Sequence, residues 1–196
     1  IFHVFSNLSK IFLFRDGIDQ RITIKLGIPA VVFVIIGAVL SNYVPQKELE
    51  LLMSFFLILL SALLIIFSKA KIQQTDNSLV ASGILSGFLA GIIGTGGSIR
   101  GLVLSAFNLE KEIFVATSAM IDLGVDASRT VVYFLNGFMS WQFLEMIPVL
   151  LLISFFGSWV GKRILHRIPQ FSFRYIVLGV ILATSIIHSI RYFYTN

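Results

Sequence analysis

Apolar residues run in long blocks along this chain, and polar residues gather in short clusters between them. A helix that crosses a bilayer takes about 20 predominantly apolar residues. Blocks of that order lie at 22–42, 50–67, 79–107, 113–136, 143–165 and 173–192. The opening IFHVFSNLSKIFLF reads as the tail of one more helix. Because Ile1-Phe2-His3 starts in mid-pattern without Met, the chain reads as a fragment with no visible signal peptide. The pattern predicts an all-α fold, a polytopic transmembrane helical bundle.

Two parts of the pattern repeat. Phe14-Arg15-Asp16-Gly17 aligns with Phe134-Leu135-Asn136-Gly137, and the match continues through both following blocks. Pro29 falls within one residue of Pro148, Gly37-x-x-x-Ser41 falls on Gly157-x-x-x-Gly161, and after a four-residue insertion Pro45 meets Pro169. This divides the chain into residues 1–78, the end of a first repeat with a helix tail and two transmembrane helices, and residues 79–196, a second repeat. The partner of block 79–107 is expected upstream of the chain.

Loop charges bear on how that block runs, because Lys and Arg concentrate on the cytoplasmic side. A single crossing places Arg15, Arg21, Lys25, Lys69, Lys71 and Arg191 on one side against Lys47, Lys111, Lys162, Arg163, Arg167 and Arg174, six against six. A segment that enters and returns to the same side leaves only Lys47 and Arg191 opposite the other ten. Lys10, Arg100 and Arg129 lie inside blocks and are not counted. The bias favours a glycine-broken re-entrant or discontinuous helix between repeats of opposite orientation, a common plan of secondary transporters.

Block 79–107 holds seven of the fifteen glycines. Gly83, Gly87 and Gly91 recur every four residues and form a smooth face for close helix packing. Gly94-Thr95-Gly96-Gly97 is different, since each glycine costs about 1 kcal/mol of helix preference relative to Ala. A helix break at membrane depth is tolerated only where protein or a water-filled cavity satisfies the backbone. Ser98 is read as the N-cap of a helix resuming at Ile99, whose free amides and positive dipole end would favour an anion, with Arg100 adding a formal charge. The competing reading is a hinge or close helix crossing without a ligand. Neither a phosphate loop nor a dinucleotide fingerprint fits: Gly97 stands where the former needs Lys, and the latter's third glycine is missing.

The next block carries Asp122, Asp126 and Arg129. On a helix, Ser118, Asp122, Asp126, Arg129, Tyr133 and Asn136 fall within about 80° of one another, so one polar stripe faces something other than lipid. A charge at the bilayer centre costs about 2.5–3.5 kcal/mol on insertion scales, which calls for pairing. Asp126 and Arg129 are one pair at i and i+3, and Arg100 and Asp122 the second, across helices. Such pairs serve either structure alone or transport, with an arginine engaging the anion and a carboxylate taking up a proton. His3 and His188 read as packed or interfacial, His166 as solvated in a basic loop, and Trp141, Trp159, Tyr43, Tyr192 and Tyr194 as an interfacial belt.

Composition agrees. Hydrophobic residues make up 57% and charged residues 13%, with a mean hydropathy of +0.92, against about 25% charged residues in soluble domains. The net charge of +5 is distributed between blocks rather than on one face, which argues against nucleic acid. Cysteine is absent, so disulfides and thiolate metal sites are excluded. No hydrolytic triad, HExxH pattern or set of metal ligands appears, and neither an enzyme nor a cofactor is expected.

GILSGFLAGIIGTGGSIRGLVLSAFNLEKEIFVATS resembles the signature of the TauE/SafE sulfite exporter family. Gly87, Gly91, Gly94, Gly96 and Gly97 match the family's glycines, Ser98 replaces the last one, and Thr117-Ser118 matches a Thr-Ser pair. Nearly the whole chain resembles the family's C-terminal two-thirds, the first copy of the signature lying outside it. Arg100 stands where the family usually has an apolar residue followed by proline, and the segment from Ile121 to Arg129 is more charged than usual. The resemblance implies a multi-pass protein of a bacterial inner membrane that moves sulfite or an organosulfonate. Together these readings assign binding of a small anion to Gly94, Thr95, Gly96, Gly97, Ser98, Arg100, Thr117, Ser118, Asp122, Asp126 and Arg129. The expected partners are that anion and the lipid bilayer, and a homo-oligomer is compatible with the pattern. A non-transporting membrane subunit or assembly factor, with glycine faces for packing alone, is the alternative.

Overall fold

The computed structural model describes residues 2–43, 45–67, 73–93, 96–135 and 147–194. Each apolar block forms helix: α1 (Phe2–Leu13), α2 (Gln20–Leu40), α3 (Gln46–Ile66), α4 (Asp76–Ile93), α5 (Gly96–Ala106), α6 (Lys111–Leu135), α7 (Ile147–Arg167) and α8 (Gln170–Tyr194). The fold is all-α, and no strand occurs among the described residues. Helices α2, α4 and α7 and the stretch Gln170–Ile190 of α8 are each long and apolar enough to cross a membrane. Block 79–107 divides into α4 and α5, and the intervening Gly94 and Thr95 lie outside the described residues. So do Lys69, Lys71, Asn136, Gly137 and Trp141, as well as the side chains of Arg129 and Tyr133.

Local chemistry fixes the helix ends. The Asp19 carboxylate accepts from the Ile22 amide at 2.9 Å and caps α2, and the Thr75 hydroxyl accepts from the Ser78 amide at 3.2 Å at the start of α4. Both satisfy amides that a first turn leaves free. Lysines serve the opposite role at C-termini, where unpaired carbonyls and the negative dipole end collect. Lys111 Nζ donates to the Leu165 and Ile168 carbonyls at 3.0 and 2.8 Å as α7 ends, and Lys162 Nζ donates to the Leu13 carbonyl as α1 ends.

These bonds tie one end of the bundle together. There α1 and α7 finish and α2, α4, α6 and α8 begin. Arg21 and Lys25 pair with Asp76 at 2.9 and 3.0 Å, and Gln170 accepts from the Lys111 amide at 3.0 Å. Gln74 Nε2 donates to the Phe107 carbonyl at 3.3 Å, and Leu79 shares a buried cluster with Leu104 and Phe107. The end of α5 thus lies beside the start of α4.

The core is built around α2, which runs parallel to both α4 and α6. A Cβ on Gly83, Gly87 or Gly91 would strike the backbone carbonyl of Leu26, Ala30 or Val34, and one on Gly37 would strike that of Phe88. The expected smooth glycine face is thus the α2–α4 contact, backbone against backbone. In lipid, where tails are as apolar as Leu, such close van der Waals packing is what holds helices together. Gly27 and Gly124 play the same part more loosely on the other flank, against Ile121 and Val31.

Candidate functional site

Helix α5 occupies the middle of the bundle. With 11 residues it is roughly 16 Å long, about half of a hydrocarbon core of about 30 Å. It starts at Gly96, three residues beyond Ile93, where the described part of α4 ends. Ser98 is therefore inside its first turn, and the reading of Ser98 as N-cap before Ile99 is corrected. Glycines at the first two positions present amides without flanking side chains. Among the described residues nothing approaches the place where a Gly97 Cβ would be, so the start of α5 borders open space.

Two polar side chains of α5, Ser98 and Arg100, point to opposite sides, as residues two apart on a helix must, about 200° around the axis. Ser98 lines a cavity of about 200 Å³ together with Met53, Ser54 and Leu57 of α3, Ile93 of α4, and Thr184, Ser185 and His188 of α8. The Thr184 hydroxyl donates to the Val180 and Ile181 carbonyls at 2.9 and 3.0 Å, and the Ser185 hydroxyl to the Ile181 carbonyl at 2.7 Å. Their lone pairs remain for a ligand in this arrangement, and rotation about one bond exchanges each into a donor.

Arg100 points the other way, towards α6. Its side chain is 0% exposed and forms an ion pair with Asp122, whose second carboxylate oxygen accepts from the Ser118 hydroxyl at 3.0 Å. The cross-helix pair expected from the sequence is present. Guanidinium and carboxylate together present little net charge, as a buried site demands. One turn further, Asp126 accepts from Asn7 Nδ2 at 3.1 Å, and Asn7 Oδ1 accepts from Lys10 Nζ at 3.1 Å. The stripe on α6 thus faces protein on both sides: α5 through Asp122 and α1 through Asp126. The expected pairing of Asp126 with Arg129 falls on a side chain outside the described residues.

Thr117 stands apart from the other α6 residues. It is fully buried, and its hydroxyl accepts from the Asp19 amide at 3.0 Å, joining α6 to the cap of α2. Site residues therefore separate into three groups: Ser98 at the hydroxyl-lined cavity, Arg100 with Ser118 and Asp122 on the opposite face of α5, and Asp126 with α1. His188 lines the cavity at the break, which its reading as a packed or interfacial residue did not foresee. Ser54, Thr184 and Ser185 were likewise missed. The last apolar block did carry a signal, because Thr184 and His188, and Ser185 and Ser189, are spaced by four and form a polar facet in an otherwise apolar helix. The same holds for Asn7 and Lys10, three apart.

Half-length helix, buried charge pair and glycine break meet where the signature sequence lies. Residues 1–187 match the family described as Sulfite exporter TauE/SafE. The chain belongs to that family. Its members are integral membrane transporters, and the match takes in α1 to α7 and most of α8. No curated protein and no solved structure matches this TauE/SafE chain. Among the described residues no group of His, Cys, Asp and Glu is placed to hold a metal ion.

Proposed function

We propose that this TauE/SafE chain carries a small oxyanion, sulfite or an organosulfonate, across a bacterial inner membrane by alternating access. The observation that carries the reading is the cavity beside the first turn of α5, lined by Ser98, Ser54, Thr184, Ser185 and His188. Amides at a helix N-terminus meet negative charge with a favourable dipole, and broken helices near mid-membrane serve this purpose in transporters. Helix α5 is the re-entrant half of a hairpin, and the repeats on either side of it are inverted.

Arg100 and Asp122 supply the coupling. While Asp122 is ionised, it neutralises Arg100. When Asp122 takes up a proton, the guanidinium charge is left to attract the anion towards the start of α5, and anion and proton move together. Asp126, with Asn7 and Lys10, lies one turn along the same stripe and receives the proton next.

Uptake of radiolabelled sulfite into proteoliposomes tests this. The Thr184→Val and Ser54→Ala variants should each weaken sulfite about tenfold in half-saturation, the loss expected for one hydrogen bond to a charged group. Asp122→Asn should uncouple flux from an imposed proton gradient. Flux that is indifferent to all three substitutions removes the site. Absence of flux in the complete protein, with Arg100→Ala changing stability alone, favours instead a non-transporting membrane subunit, a reading supported by the tight α2–α4 glycine contact.

A further inference from the structure

Two turns beyond the cavity, the faces that line it turn polar again. Helices α3 and α5 both run towards the end of the bundle where α4 and α8 begin, the basic end that holds Arg21, Lys25 and Lys111. Each lines the cavity with one serine, Ser54 and Ser98. Seven residues further on, Ser61 stands on α3 and Ser105 on α5, two helical turns and roughly 10 Å along the axis. Residues seven apart share a helix face, so both helices repeat the serine at the same interval and in the same direction. Between the two serine levels the interior is apolar: Leu57 and Leu102 pack with Leu178 and Ile181 of α8 in one buried cluster.

Ser61 is 0% and Ser105 3% exposed, and among the described residues neither hydroxyl has a hydrogen-bond partner. A serine inside an apolar helix can donate back to the carbonyl four residues earlier, as Ser185 does to Ile181 and Ser128 to Gly124. An orphaned buried hydroxyl costs about 1–3 kcal/mol, and two helices bear that cost at matching levels. Helix packing alone is served as well by alanine. Helix α8 adds a charge. Arg174, Leu178, Ile181 and Ser185 follow one another at spacings of four, three and four and so share a face. Arg174 is buried and lies one turn nearer the basic end than the leucine barrier.

We infer that Ser61 and Ser105, with Arg174 beyond them, form a second station for the small oxyanion, separated from the first cavity by the barrier of Leu57, Leu102, Leu178 and Ile181. The inference rests on the transport reading above. Arg174 draws the anion in from the basic end, the two hydroxyls donate to its oxygens, and parting of the leucines joins the stations. Thr184 and His188 at the first cavity are exposed, whereas Ser61 and Ser105 are sealed. One station is thus open while the other is closed, as alternating access requires.

Flux of radiolabelled sulfite tests the second station, in proteoliposomes that hold the complete protein in one orientation and receive sulfite at one face at a time. Ser61→Ala and Ser105→Ala should each raise the half-saturation about tenfold from the basic face, the loss of one hydrogen bond to a charged group, and leave it unchanged from the opposite face. Thr184→Val should do the reverse. Melting midpoints of both alanine variants should be unchanged or higher, because each removes an orphaned hydroxyl. Flux that responds to Thr184→Val and to neither alanine variant overturns the second station and leaves the first standing, and so does an equal response from both faces. A fall of several degrees in both midpoints makes the hydroxyls structural and overturns it too. Absence of flux in the unaltered protein refutes the transport reading itself, and this inference with it.

Discussion

Arg100 is the residue on which the electrostatics of the molecule turn. A guanidinium with no exposure in an apolar bundle needs compensation for its charge, and the Asp122 carboxylate in contact with it supplies it. Removing one partner leaves the other charge buried, a loss of about 3–5 kcal/mol, while replacing both by apolar groups of similar size is far milder. Arg100→Met and Asp122→Leu should therefore each destabilise the purified protein strongly in thermal melts, and the double variant should recover most of the loss. A double variant as unstable as the sum of the two singles would mean that the charges do not act as a pair. That pairing was legible in the sequence, because Arg100 is the one charge in its block and, with Asp126 set against Arg129, Asp122 is left to neutralise it. The role of Asn7 was not legible: whether Asp126 meets α1 depends on where α1 packs, and periodicity says nothing about which helices touch.

At the scale of elements, glycine decides which helices approach. Gly87 sits where a single added methyl group falls on the Ala30 backbone, and backbone, unlike a side chain, has no rotamer to move to. Gly87→Ala should cost about 1–3 kcal/mol as overpacking. Gly179 in α8 has nothing within 4 Å among the described residues, so Gly179→Ala should gain up to about 1 kcal/mol of helix preference. Opposite signs for the same chemical change, read from melting curves of the two variants, test the α2–α4 contact directly; equal shifts would refute it. The four-residue glycine period announced this contact in advance. The start of α5 was less legible, because Ser98 is a good cap by type while Gly96 begins the helix, and on α8 His188 was read alone, without Thr184 and Ser185 of the same facet.

At the scale of the whole molecule, the direction of α5 is what makes the charge distribution intelligible. If α4 and α5 formed one crossing, Phe107 would lie a membrane thickness away from Gln74, yet the two are hydrogen-bonded. With α5 returning, Arg15, Arg21, Lys25, Lys111, Lys162, Arg163 and Arg167 share the end of the bundle where α1 and α7 stop, and the positive-inside rule assigns that end to the cytoplasm. Tyr43, 83% exposed between α2 and α3, marks the opposite end. Residues 1–196 contain no cysteine, so single cysteines placed among them are read without background from this part of the chain. An impermeant maleimide applied to intact cells should label Tyr43→Cys and spare Asn77→Cys and Glu110→Cys, both of which should react once the membrane is permeabilised. Labelling of Asn77 or Glu110 alone would mean that the segment between them crosses the membrane once, which removes the inversion of the repeats. Labelling of both, with Tyr43 protected, would preserve the hairpin and reverse the protein in the membrane, so that the basic end would face outward against the charge rule. The hairpin therefore depends on Asn77 and Glu110 behaving alike, and its orientation on both being protected.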